Sequence, residues 1–172
     1  SDSDGVVAVD LAGAEALFPT SDYEKLFAHA RAEGIPFTIH AGEAAGPESI
    51  RQAVDYGTAR IGHGVNCIHD KNLMNIIAEK GITLELCPTS NLNTKIVNDI
   101  KDYPIDKIIN NKIKVTINTD NMTVSGTDEA SEMKRICDTF GYDGNMRRIF
   151  VDNAIDAAFL SNEMKEKLRG NL

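Results

Sequence analysis

The sequence predicts an α/β fold organised on a parallel sheet. Three observations carry this. β-branched apolar runs of strand length recur along the chain, helical apolar patterns lie between them, and strand starts fall about 20 to 30 residues apart, the size of one βα unit. Strand and helix alternating in this way imply parallel neighbours joined by right-handed crossovers. No charge block or Ser/Pro-rich linker divides the 172 residues, so they read as one unit.

The first strand is expected at Val6-Val7-Ala8-Val9. Ser21 and Glu24 make a capping-box pattern ahead of an apolar face of Leu26, Phe27 and Ala30, and Gly34 stops that helix. Pro36-Phe37-Thr38-Ile39 is the second strand. Gly46-Pro47 opens the second helix, Ile50, Ala53 and Val54 form its apolar face, and Gly57 ends it. Ala59-Arg60-Ile61 is the third strand, followed by a helix carrying Leu73, Ile76 and Ile77 and stopping at Gly81. Ile82 to Leu86 forms the fourth strand, Ile105 to Asn110 a less regular helix, and Lys114-Val115-Thr116-Ile117 the fifth strand. The remainder is read as helical. Met133, Ile136, Cys137 and Phe140 mark one helix, Met146, Ile149, Phe150, Ala154 and Ala157 a second, and Met164 and Leu168 a third.

With 18 Lys+Arg against 26 Asp+Glu the net charge is −8, while 42% of residues are hydrophobic. These values describe a globular chain and exclude disorder as its main character. A chain of this size buries roughly 70% of its unfolded surface, enough for a core. The acidic balance argues against nucleic acid as a partner, and no apolar run approaches the ~20 residues of a membrane span. Cys67, Cys87 and Cys137 form neither a C-x-x-C pair nor a disulfide framework. They read as packed thiols in a reducing, cytoplasmic setting. Ser1–Asp4 is polar, lacks Met and lacks a signal-peptide pattern, and the chain is expected to be a piece of a longer one.

Chemistry gathers where strands end. In order come Asp10-Leu11-Ala12-Gly13, His40-Ala41-Gly42-Glu43, Gly62-His63-Gly64, Cys87-Pro88-Thr89-Ser90-Asn91 and Asn118-Thr119-Asp120-Asn121. In parallel α/β proteins the C-terminal rim of the sheet builds the active site. Two histidines and two carboxylates on one rim make a metal or acid–base constellation. Singly, each residue has a structural reading: His63 as a hydrogen-bonding group, Asp10 and Asp120 as caps, Gly62 and Gly64 as turn glycines. Five such segments on one edge favour a site. His29, inside a helix, and His69, beside Asp70 at a helix start, read as solvated or capping residues. The phosphate loop, the G-x-S-x-G elbow, H-E-x-x-H and the cytidine-type H-x-E…P-C-x-x-C signature are all absent.

The five segments, in that order and over essentially the whole chain, resemble the C-terminal half of the adenosine deaminase family, bacterial type. The resemblance implies a zinc-dependent (β/α)8-barrel hydrolase, with residues 1–172 as the C-terminal part of one metal-dependent hydrolase TIM-barrel domain. About five βα units, the family's fourth to eighth strands, would be present, followed by C-terminal helices. It further implies Zn2+ ligands at His40 and Asp120 and a zinc-activated water that attacks C6 of adenosine or 2′-deoxyadenosine. Glu43 would protonate purine N1, and His63 would orient the water and take or stabilise its proton. Gly13 would offer its N–H to N3 and Asn121 would face N7. Many relatives carry Asp where Asn121 stands, but an amide donates without needing to be protonated.

One departure matters. The family supplies two further zinc ligands from a His-x-His pair on its first strand, and no His-x-His occurs here. Catalytic zinc takes three protein ligands plus water. The chain alone is therefore expected to bind zinc poorly and to be inactive. Alternatives are a sister deaminase acting on adenine or a modified adenosine, and a silent half-barrel that only assembles. Five strands would leave two open edges and, on this reading, Val7, Val9, Ile39, Leu84, Leu86, Val115 and Ile117 without an opposite wall. Self-association or pairing with the missing N-terminal half is expected.

Overall fold

A computed structural model describes residues 5–171; Ser1–Asp4, the polar start, lie outside the described residues. Five parallel strands form one sheet in chain order: β1 (Val9–Leu11), β2 (Phe37–Ala41), β3 (Arg60–His63), β4 (Thr83–Leu86) and β5 (Lys114–Ile117). The helices are α1 (Glu24–Ala32), α2 (Pro47–Tyr56), α3 (Lys71–Lys80), α4 (Pro88–Asn93), α5 (Ile105–Asn110), α6 (Met122–Ser125), α7 (Glu129–Phe140), α8 (Gly144–Ala157) and α9 (Asn162–Gly170).

The register explains the layers. Leu11, Ile39, Ile61, Leu84 and Val115 lie side by side across the five strands. Ile39, Ile61 and Leu84 are fully buried with Ile50, Leu73, Ile77, Ile108 and Phe150 of the helices. Strand side chains alternate between faces, so the neighbouring row, His40, Gly62, Glu85 and Thr116, falls on the other face. The expectation that Ile39, Leu84, Leu86, Val115 and Ile117 lack a wall is corrected: all five are buried. The opposite, concave face is polar. There Glu85 accepts from Thr38 Oγ1 at 2.8 Å and lies 3.2 Å from Arg60 Nε, and the Arg60 guanidinium sits 4.0 Å over the Phe159 ring.

Other boundaries differ from the sequence reading. β1 begins at Val9, because only Val9, Asp10 and Leu11 pair with β2; Val6 and Val7 are exposed. The Ser21/Glu24 capping box does not form. Thr20–Tyr23 winds as a 3-10 turn, α1 starts at Glu24, and no side chain caps it. Leu26 of the expected apolar face is exposed, whereas Phe27 and Ala30 are buried. α4 differs from the reading, which places no helix there, although Pro88 at the first helical position gives the same signal as Pro47 of α2; α6 lies in the remainder read as helical. Asp70, Asp128, Asp143 and Ser161 cap α3, α7, α8 and α9.

Among the described residues, β1 and β5 each have a strand neighbour on one side only. The free side of β5 is partly covered by α8, whose Asn153 donates to the Val115 carbonyl at 2.9 Å. The three cysteines are free and buried, and burial pushes the Cys67 thiol up to about 12. No helix among the described residues is long and apolar enough to cross a membrane.

Candidate active site

All five strands run in one direction, so their C-terminal ends share one rim. His40 of β2 sits there with its Nε2 3.6 Å from Asp10 Oδ2 of β1. Asp10 favours the protonated imidazole and holds His40 above the ordinary histidine pKa against the opposing effect of burial. Gly62 pairs with His40 across the ladder. A Cβ on Gly62 would lie 2.6 Å from His40 Cδ2, so this glycine seats the imidazole rather than making a turn.

His63 ends β3 with φ 61° and Asp120 follows β5 with φ 57°, a left-handed backbone that is costly for both residues. Strain of this kind collects at functional sites because the surroundings must hold it. The His63 ring is buried. Its Nε2 lies 3.5 Å from Glu43 Oε2 and 4.0 Å from Asp120 Oδ2. Burial pushes its pKa down, with Glu43 opposing. No hydrogen bond reaches that nitrogen. A buried ring nitrogen aimed between two carboxylates suits a small polar ligand bridging them. Asp120 Oδ2 accepts from Ser90 Oγ at 2.6 Å, which aims the carboxylate.

His40, Asp120 and Asn121 line one open cavity of about 450 Å³ together with Asp10, Glu85 and Asn118. Asn121 uses its side-chain oxygen to cap α6 at Val124 N, 2.9 Å, which leaves its NH2 group to donate. Gly13 lines a smaller pocket that shares His40 and Ala12 with this cavity, and its φ of 148° is one only glycine adopts readily. The structure thus gathers His40, Glu43, His63 and Asp120 on one rim. His29 and His69 are exposed on the helical side of the chain, as a solvated role requires. Among the described residues, no group of three or more His, Cys, Asp or Glu side chains is placed to hold a metal.

The sequence reading missed the groups that hold the rim loops. The buried Glu15 carboxylate accepts from four successive backbone N–H groups, those of Gly42, Glu43, Ala44 and Ala45, at 2.7 to 3.1 Å, and from Ser49 Oγ at 2.5 Å. Asn66 fastens the same loop from its other side, donating to the carbonyls of Glu43 and Ala45. Glu132 of α7, fully buried, accepts from Thr89 N at 3.1 Å, from the Thr89 hydroxyl and from Thr127 Oγ1 at 2.7 Å. It ties the start of α4 to the loop beyond Asp120. Glu15 carried a signal in the sequence, an acidic residue between Ala14 and Ala16; Glu132 lies in the polar stretch 128–135 and carried none.

Glu15→Gln keeps the shape but turns one acceptor oxygen into a donor facing N–H groups. Amide exchange at Gly42, Glu43, Ala44 and Ala45 is expected to accelerate, and stability to fall by about 2 to 4 kcal/mol in urea denaturation. The exposed control Glu24→Gln is expected to change stability by less than about 0.5 kcal/mol. Unchanged exchange at those four amides would show that the carboxylate does not hold the loop.

Residues 2–172 match the family model described as Adenosine deaminase. The chain is 46% identical over 168 residues to the adenosine deaminase of Haemophilus ducreyi, covering 98% of this chain and 49% of that protein. Among solved structures, the N6-methyl-AMP deaminase of Arabidopsis thaliana superposes with a TM-score of 0.86 at 28% identity, covering 96% of this chain and 48% of that one. An amidohydrolase from Burkholderia ambifaria with bound Zn superposes with a TM-score of 0.89 at 24% identity, covering 98% of this chain and 48% of that one. The chain spans about half the length of the relatives it matches. Its sheet and helices correspond to about half of a (β/α)8-barrel deaminase, and the chain belongs to the adenosine deaminase family.

Proposed function

We propose that this chain is the C-terminal half of a zinc-dependent enzyme that hydrolyses adenosine and 2′-deoxyadenosine to inosine, 2′-deoxyinosine and ammonia. One observation carries the reading: the unpartnered, buried His63 Nε2 points between Glu43 and Asp120 on the rim that also bears His40. His40 and Asp120 offer one nitrogen and one oxygen donor to the same cavity, a set that suits zinc but is short of three protein ligands. Bound there, zinc would acidify a water.

The chain's own groups then divide the work. Glu43, in its acid form, delivers a proton to purine N1; this removes ring aromaticity and makes C6 electrophilic. Through its Nε2–H, which it keeps, His63 hydrogen-bonds the water oxygen and fixes its approach to C6. As the water oxygen bonds to C6, Asp120 takes one of its protons and passes it to the N6 nitrogen; the C6–N6 bond breaks and ammonia leaves, and the proton left on the C6 oxygen returns to Glu43 as the carbonyl forms. The Asn121 amide donates to N7, and the Gly13 N–H is offered to N3. A sister activity on a modified adenosine nucleotide has support in the Arabidopsis neighbour. Asp10-Leu-Ala-Gly13 and the 46% relative favour the nucleoside. Three buried free thiols support a reducing, cytoplasmic setting.

The chain's two free sheet edges support capture of the complementary half, or self-association without it. Light scattering on the isolated chain is expected to find dimers or larger species; a sharp, cooperatively folded monomer of 18.7 kDa would contradict this. The functional roles separate by mutation of the complete enzyme. Glu43→Gln is expected to keep zinc while kcat falls by roughly 10²-fold or more, because an amide cannot protonate N1. His40→Ala and Asp120→Ala are expected to lose metal and activity together, and the isolated chain to hold well under one equivalent of zinc. Near-normal turnover by Glu43→Gln would rule out this mechanism.

A further inference from the structure

Asn91 belongs to the Cys87–Asn91 segment, and the mechanism above gives it no task. It is fully buried at the rim. Its Nδ2 lies 3.1 Å from His63 Nδ1 and 3.4 Å from Glu43 Oε1, and its Oδ1 lies 2.9 Å from the Tyr103 hydroxyl. Tyr103 is itself buried, and burial pushes its phenol pKa well up, so the hydroxyl keeps its proton.

The hydrogen-bond chemistry leaves one consistent arrangement. With Glu43 ionised, before it takes up the proton it delivers to N1, its carboxylate only accepts, so the Asn91 atom facing it is the NH2 group. Asn91 Oδ1 then faces Tyr103 and accepts from its hydroxyl. The second Asn91 N–H points at His63 Nδ1, which must therefore be a bare lone pair. In a neutral imidazole the single ring proton then sits on the other nitrogen.

We propose that Asn91, oriented by Tyr103, is a positioning residue that fixes the neutral tautomer of His63 with its proton on Nε2. Nε2–H then points into the gap between Glu43 and Asp120. The ring meets a ligand there as a hydrogen-bond donor, and Nδ1, committed to Asn91, takes no proton from it. The groups facing the ring are Glu43 and Asp120 at Nε2, Asn91 at Nδ1, and His40, whose ring centroid lies 5.0 Å away. The tautomer itself follows from the hydrogen bonds made with Glu43 ionised; its consequence for catalysis rests on the deaminase reading.

Ring-nitrogen NMR of the ¹⁵N-labelled 172-residue chain tests this at about pH 8, above the ordinary histidine pKa. Only four histidines need assignment. His63 is expected to show a bare Nδ1 and a protonated Nε2. Asn91→Asp replaces the donor by an acceptor of the same shape and is expected to put a proton on Nδ1. In the complete enzyme, Tyr103→Phe is expected to lower kcat several-fold with KM little changed. A protonated Nδ1 in the unmodified chain overturns the proposal, whether or not the variants fold. A bare Nδ1 retained in folded Asn91→Asp also overturns it. The expected tautomers together with a complete enzyme inactive on adenosine would count against the deaminase reading and leave the tautomer assignment standing.

Discussion

A β-strand turns successive side chains to opposite faces, and five parallel strands in register apply that rule across the whole sheet at once. Leu11, Ile39, Ile61, Leu84 and Val115 go one way, under the helices. Asp10, His40, Gly62, Glu85 and Thr116 go the other. The core and the candidate site are therefore two faces of the same strands. A one-residue slip in any strand would carry an isoleucine or leucine into the cavity and a polar side chain into the core. The apolar row thus anchors the candidate site as well as the fold.

The sheet fixes Cα positions, but the rim loops need their own restraint. Two buried carboxylates supply it. Glu15 gathers four N–H groups of the segment carrying Glu43, and Glu132 joins α4 to the loop beyond Asp120. A buried carboxylate is costly unless its oxygens are satisfied. Here each one is, by the backbone and hydroxyl donors of the loops it holds. His63 and Asp120, on the same rim, hold positive φ angles.

Most of this was legible because it is local. Pro47 and Gly57 bound α2, Gly81 ends α3, and the five rim segments announce themselves by residue type. What stayed hidden depends on distant partners. β1 is set by which residues find β2, so the Val6–Val9 run misplaced it by three positions. The destination of the strand side chains was misjudged because both faces of a parallel strand can be covered, and only the register shows which is polar. Glu15, Asn91 and Glu132 act across 12 to 48 residues of sequence separation, the Glu132–Thr127 contact at 5 apart, and short motifs cannot display such distant contacts. His40, His63 and Asp120 were readable because strand ends bring them together, whereas Glu43 sits on the loop that Glu15 and Asn66 hold.

On the proposed function this chain is one wall of a site, with two metal donors, an acid and an oriented imidazole, and the remaining donors come from a complementary half. The direct measurement is reconstitution. The chain would be co-expressed with the half of the Haemophilus ducreyi relative that it does not match, and the purified complex assayed for zinc content and for conversion of adenosine to inosine. A one-to-one complex with close to one zinc and measurable deamination is expected, with both zinc and deamination lost in His40→Ala. A stable one-to-one complex that neither holds zinc nor deaminates adenosine would contradict the proposed function.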